Sequence, residues 1–400
     1  MRTFWAGSDH SCFCFFSLVI LFSSVVCISA HSQTFSVLHS FPAYTGDGEH
    51  PYASLLRDSK GNLYGTTIFG GANGGGTVYE VGKTGVESVL YSFPAYDGDG
   101  SNPFSTLVRD SAGNLYGTTY SGGASGLGTV FKLTPSGAET ILYSFTGGTD
   151  GAMPHGGLLR DSKGNLYGTT SDGGSTLCGM SSGCGTIFEI TSSGQEKVLY
   201  TFCLAAGCPD GSSPSDELIF DKKHNLYGAT LGGGYGAGVV FQLATKGKDA
   251  GTETVLYTLS STQIGELPNG VIRDSEGNFY GTTNAGPLND CGGVFQLNSA
   301  GSASLLFGFQ GFQNGCNPFG GLLLEGQGNL YGTTSSGGTG SGGTVFELSP
   351  SGTFTILRNL SQADGISPYA ALIRDPKGNL YGTNGAGGVN GSGTVFELVP

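Results

Sequence analysis

Three sets of residues in this chain are of kinds that do chemistry. The first is an adjacent carboxylate pair, Asp216-Glu217. Two such groups side by side can hold a cation, accept hydrogen bonds from a sugar hydroxyl, or act as a general acid. The plainer reading is a solvated acidic pair, and no partner base can be named for it. The second set belongs to a recurring D-G-x-x-P phrase, whose acidic residues are Asp47, Asp99, Asp150, Asp210 and Asp364. Asn314 stands at this place in one copy and Ile264-Gly265 in another. Gathered in space, five carboxylates would suit a hard cation such as Ca²⁺. Read locally, Asp-Gly ahead of Pro is a turn in which Asp caps its own backbone. The third set is six cysteines: Cys178, Cys184, Cys203, Cys208, Cys291 and Cys316.

Other candidates carry less. His50 and His155 sit at or just after D-G-x-x-P turns, and nothing nearby in sequence completes a metal triad. No H-E-x-x-H occurs. G-x-G-x-x-G matches fall in Gly-rich loops that join no strand to a helix, which excludes a nucleotide fold.

The elements that position these residues come from one phrase repeated down the chain, N-L-Y-G-T-T or a close variant. Its tyrosines are Tyr64, Tyr116, Tyr167, Tyr227, Tyr280, Tyr331 and Tyr381, with steps of 52, 51, 60, 53, 51 and 50 residues. Each copy carries four strand-like runs, shown in the first by 36–41, 53–58, 62–67 and 76–81. They are β-branched and aromatic, and Gly, Asp, Ser and Pro bound them. The hairpin before N-L-Y places Gly61, Gly113, Gly164, Gly277, Gly328 and Gly378 where a positive φ is needed. His224 breaks that series, and the adjacent Asn225 is expected to absorb part of the strain. Four antiparallel strands at this period predict a propeller blade, and seven units predict an all-β, seven-bladed ring over 34–400. Helical solenoids are excluded by the lack of any 3.6-residue period.

The ends predict the seam. The chain opens on the outermost strand type, 36–41, and closes on the third type, 393–398. The first strand should therefore complete the last blade and remove two free edges. Small residues should line the axis, as in Ala53-Ser54, Ser105-Thr106, Gly156-Gly157, Gly320-Gly321 and Ala370-Ala371. Asp216-Glu217 and Pro268-Asn269-Gly270 interrupt them. Both long connections of each blade should emerge on one face, the natural binding face. The frame pairs the cysteines as 178–184, 203–208 and 291–316, while the C-x₅-C and C-x₄-C spacings differ from the usual zinc knuckle. The motif tyrosines are expected to be buried between blades rather than to form a sugar platform.

D-x-x-G-N-L-Y-G-T-T followed by G-G-x-x-x-x-G-T-V-F-x-L resembles the GloVer-type tandem repeat of exported bacterial proteins, over about 36–400. D-x-x-G-N-L-Y is more loosely similar to the propeller repeats of two-component regulators. The resemblance implies export and brings no catalytic residues. The run at 12–30 reads as the apolar part of a signal peptide (residues 1–30), with an uncleaved anchor as the alternative. No other stretch is long and apolar enough to span a membrane. The expected location is secreted, cell-surface or periplasmic. A net charge of −13 opposes phosphate backbones, so nucleic acid is excluded as a partner. The expectation is a monomeric, non-enzymatic binding or scaffold module with no cofactor unless Ca²⁺ binds. A glycan, peptide or cell-surface component would be its partner. The alternative is a lactonase-, lyase- or glycosidase-type propeller enzyme acting at the channel mouth.

Overall fold

A computed structural model describes residues 33–400 except 43–45, 96–97, 215 and 287–288. The signal-peptide reading lies outside the described residues. Seven antiparallel sheets form the blades of a closed ring, as the repeat predicts. Blade one comprises Leu56–Arg57, Leu63–Thr67, Gly74–Val81 and Glu87–Pro94, from the axis outward. Blade seven comprises Ile373–Arg374, Leu380–Asn384 and Thr394–Val399, and Thr34–Ser40 is its outer strand. Thr34 pairs with Val399 and Ser40 with Thr394, so the N-terminal strand closes the ring.

Each letter of the repeated phrase has a physical task. Asp58 Oδ1 accepts hydrogen bonds from the Lys60 and Asn62 amides at 2.9 Å, which fixes the hairpin. The Asn62 amide group and the Tyr64 hydroxyl both donate to its other oxygen. The motif tyrosines are buried or nearly so, as in Tyr64 and Tyr227. The following glycine leaves room for an aromatic ring: a Cβ on Gly168 would lie 2.6 Å from Phe188 Cζ. The first Thr ties blades together near the axis. Thr66 donates to Ser105 O, and Thr383 donates to Ala53 O across the seam. The second Thr joins its own third strand, as Thr67 does with Thr77 at 2.8 Å.

Farther out, Phe rings zip adjacent blades. Phe41 meets Tyr79, Phe93 meets Phe131 and Phe145 meets Phe188, all edge-on at 5.0–5.1 Å. Leu259 and Leu360 fill the same position at two seams and are equally buried.

Two expectations need correction. Inner strands were read as 53–58 and its equivalents, yet in six blades only two residues pair there. Ser105 shows the reason: its side-chain hydroxyl, not a ladder carbonyl, accepts the Thr118 amide at 2.9 Å. The small residues thus leave the ladder before reaching the axis. At the irregular hairpin, His224 itself takes the left-handed conformation (φ 66), rather than Asn225.

Candidate functional site

The two long connections of each blade do share one face, and they pair there. Gly100–Ser101 pairs with Ser121–Gly122, and isolated bridges Ala152↔Asp172, Cys316↔Ser336 and Ile366↔Ala386 repeat the contact. The three disulfides pin this face as expected: Cys178–Cys184, Cys203–Cys208 and Cys291–Cys316.

The D-G-x-x-P phrase builds the channel mouth, though not with its Asp. In all seven blades the residue before Pro has a left-handed backbone, including His50 (φ 59), Asn102 (φ 55), Met153 (φ 54) and Ser367 (φ 58). Such a conformation costs a non-glycine residue about 1–2 kcal/mol, and a Pro after it is disfavoured further. Tie-backs hold it: His50 Nδ1 lies 2.6 Å from Gly385 O, and Asn102 donates to Ile68 O at 2.8 Å. Pro packs on a glycine of the preceding blade, where a Cβ on Gly76 would lie 2.7 Å from Pro103 Cδ. The strained turn then sends the next side chain toward the axis.

Among the described residues these are Tyr52, Phe104, His155, Asn269, Phe319 and Tyr369. Five of them form a continuous arc of rings. Centroid separations are 5.2 Å for Phe319–Tyr369, 4.7 Å for Tyr369–Tyr52, 5.6 Å for Tyr52–Phe104 and 4.6 Å for Phe104–His155. Together they line a cavity of about 730 Å³ at the axis, within the usual range for ligand sites of roughly 300–1,000 Å³.

Asp216 and Glu217 enter the same cavity from blade four, where the arc is open. Glycines flank them: a Cβ on Gly156 would meet Asp216 O at 2.4 Å, and one on Gly270 would meet its Cβ at 3.1 Å. Enclosure by the ring pushes both carboxyls up, each to about 7, and the Asp216 charge adds to the rise at Glu217. Glu217 is the more exposed of the two. Asn269, in the neighbouring wall, is locked by bonds to Asn284 and Pro318 O.

The other predicted carboxylates lie elsewhere. None of Asp47, Asp99, Asp150, Asp210 and Asp364 lines the cavity. Four of them sit at blade seams bonded to the preceding outer strand, whereas Asp47 converges with His39 and Glu87. Asp99 accepts the Tyr91 hydroxyl at 2.5 Å, Asp150 that of Tyr143 at 3.0 Å and Asp210 that of Tyr200 at 2.8 Å. Asp364 takes Arg358 at 2.5 Å. Spread one to a seam, these loop Asp residues cannot make the shared cation ring that the sequence suggested, and capping and seam contacts occupy Asp99, Asp150, Asp210 and Asp364. Opposite each of the first four stands a Glu that opens the next outer strand: Glu87, Glu139, Glu196 and Glu253. Burial and the facing Asp push Glu87, Glu139 and Glu253 up to about 7, and Glu196 in the same direction.

Sequence reasoning missed the arc. His155, noted in the sequence only for its place beside a turn, is one of its rings. The available signal was the residue after each repeated Pro, aromatic or His in five of seven copies.

The family described as the Gloeobacter/Verrucomicrobia repeat matches residues 23–234 and 174–396. The chain belongs to this repeat family. No curated protein matches it. Solved structures resemble it in fold. The extracellular domain assigned to the hybrid two-component system BT3049 of B. thetaiotaomicron is 15% identical with a TM-score of 0.57, covering 92% of this chain and 41% of its own. PorZ, a surface component of the type-IX secretion system of Porphyromonas gingivalis, is 15% identical with a TM-score of 0.54, covering 90% and 48%. A Bacteroides uniformis protein assigned as a 6-phosphogluconolactonase is 15% identical with a TM-score of 0.50, covering 82% and 88%. The repeat protein thus spans less than half the length of the first two. Among the described residues, no helix is long and apolar enough to cross a membrane.

Proposed function

We propose that this repeat protein is an exported, non-enzymatic binding module whose channel mouth takes a neutral glycan. One observation carries the reading: the arc of five rings around an open cavity, completed by two carboxylates. Flat, mostly hydrocarbon faces suit the C–H face of a pyranose, and carboxylates accept hydrogen bonds from its hydroxyls. The net charge of −13 and the acidic pair oppose an anionic polysaccharide. Three disulfides and a leader-like first segment support export.

A glycan array with the disulfide-intact protein, with and without EDTA, tests this. Binding to neutral glycans should fall at least tenfold in Tyr52→Ala/Tyr369→Ala and in Asp216→Ala/Glu217→Ala. Absence of any glycan signal, or binding unchanged by both variants, overturns it. One observation favours a second reading. Two adjacent carboxyls line the channel cavity and enclosure pushes both up, an arrangement suited to acid–base work. Hydrolysis of a bound lactone or glycoside, lost in Glu217→Gln, would therefore make the site an enzyme's.

A further inference from the structure

We infer that the seam closed by the N-terminal strand contains a divalent transition-metal site made by His39, Asp47 and Glu87. One ligating atom from each residue lies within 4.8 Å of the other two. No other group of three His, Cys, Asp or Glu side chains converges in this way among the described residues.

The seams themselves single out this one. At three others the outer-strand position holds Tyr91, Tyr143 or Tyr200, whose hydroxyl donates to the loop Asp. Here that position is His39, paired with Val395 as Tyr91 is with Val78. A donor hydroxyl has become an imidazole, a good ligand for a borderline ion. His39 Nε2 and Glu87 Oε1 are both shielded from solvent and lack a hydrogen-bond partner. Neither carboxylate has an ion pair among the described residues. Two facing carboxyl groups and an imidazole have no cation among them, and a divalent ion supplies one.

One nitrogen and two oxygens, with a place left for water, suit Zn²⁺ or Mn²⁺ better than Ca²⁺, which takes more ligands, all oxygen. Tetrahedral Zn²⁺ with bonds of about 2.0–2.2 Å needs donors roughly 3.5 Å apart, which small side-chain rotations supply from the present spacing. The three ligands lie on the closing strand, the first loop and the outer edge of blade one. The ion would tie the closing strand to the blade beyond its own.

The test uses tag-free, EDTA-treated protein with its disulfides intact, titrated with ZnCl₂. Metal analysis after gel filtration should find one Zn²⁺ per chain. At a hundredfold excess over Kd the melting midpoint should rise by about 3–4 °C. His39→Tyr restores the pattern of the sister seams and should fold while losing both signals. Glu87→Gln should weaken binding at least tenfold, and Glu139→Gln, at a seam with tyrosine, should bind like the parent. No stoichiometric Zn²⁺, or equal binding by parent, His39→Tyr and Glu87→Gln, overturns the assignment.

Discussion

Replacing Phe41 by alanine isolates what the closing strand contributes. Phe41 is fully buried at the end of that strand, edge-on to Tyr79 at 5.0 Å, and its amide donates to Gly393 O at 3.0 Å. Phe145 has the same surroundings at a seam inside the chain, against Phe188 at 5.1 Å. Loss of a buried Phe side chain, with the cavity it leaves, costs about 3–5 kcal/mol. The folded unit runs from Gln33 to Pro400. Its unfolding entropy is about 0.8 kcal/mol/K, so each alanine variant should melt about 4–6 °C lower. Leucine should cost only about 1 kcal/mol, because Leu259 and Leu360 occupy this position at two natural seams. Differential scanning calorimetry of Phe41→Ala, Phe41→Leu and Phe145→Ala reads all three. If Phe145→Ala drops by the expected amount while Phe41→Ala melts like the parent, the N-terminal strand is not docked and the closure argument fails. If leucine costs as much as alanine, the equivalence of the seams fails instead.

Two further outcomes follow from the loops and seams. The Cys291–Cys316 bridge closes 25 residues and Cys178–Cys184 only 6; chain entropy assigns them about 3.5 and about 2 kcal/mol. Cys291→Ser/Cys316→Ser should therefore lower the urea midpoint more than Cys178→Ser/Cys184→Ser, and the reverse order would refute the entropic account. Glu139 has a folded pKa of about 7, above its unfolded value, so the folded state holds the extra proton. Its stabilising share is complete below the unfolded pKa and is lost as pH rises through about 7. Glu139→Gln, which never ionises, should melt higher than the parent at pH 8 and alike at about pH 4, below the unfolded pKa; equal melts at both would show that the seam carboxyl titrates normally.

The seven-bladed ring, its seam and its cysteine pairs were legible because a repeat supplies its own frame. Tyr64 and its six counterparts set the register, and every other residue takes its place from them. Small inner residues such as Gly156-Gly157 announced the axis, and the acidic pair that interrupts them does reach it. The loop carboxylates were misplaced because capping and cation binding ask for the same residue. Only the third dimension sends Asp99 outward to Tyr91 and Phe104 inward to the channel. The arc escaped notice because its members differ in type; what they share is the residue before Pro, whose left-handed backbone aims them. No propensity announces that conformation at Met153 or Ser367.

The central claim is that the channel mouth is the binding site, and a crystal structure with a glycan selected on the array tests it most directly. The account predicts a sugar ring against Tyr52 and Tyr369, with a hydroxyl within hydrogen-bond distance of Asp216 or Glu217. A glycan seated on the outer loops or between blades, with the mouth empty, would contradict it.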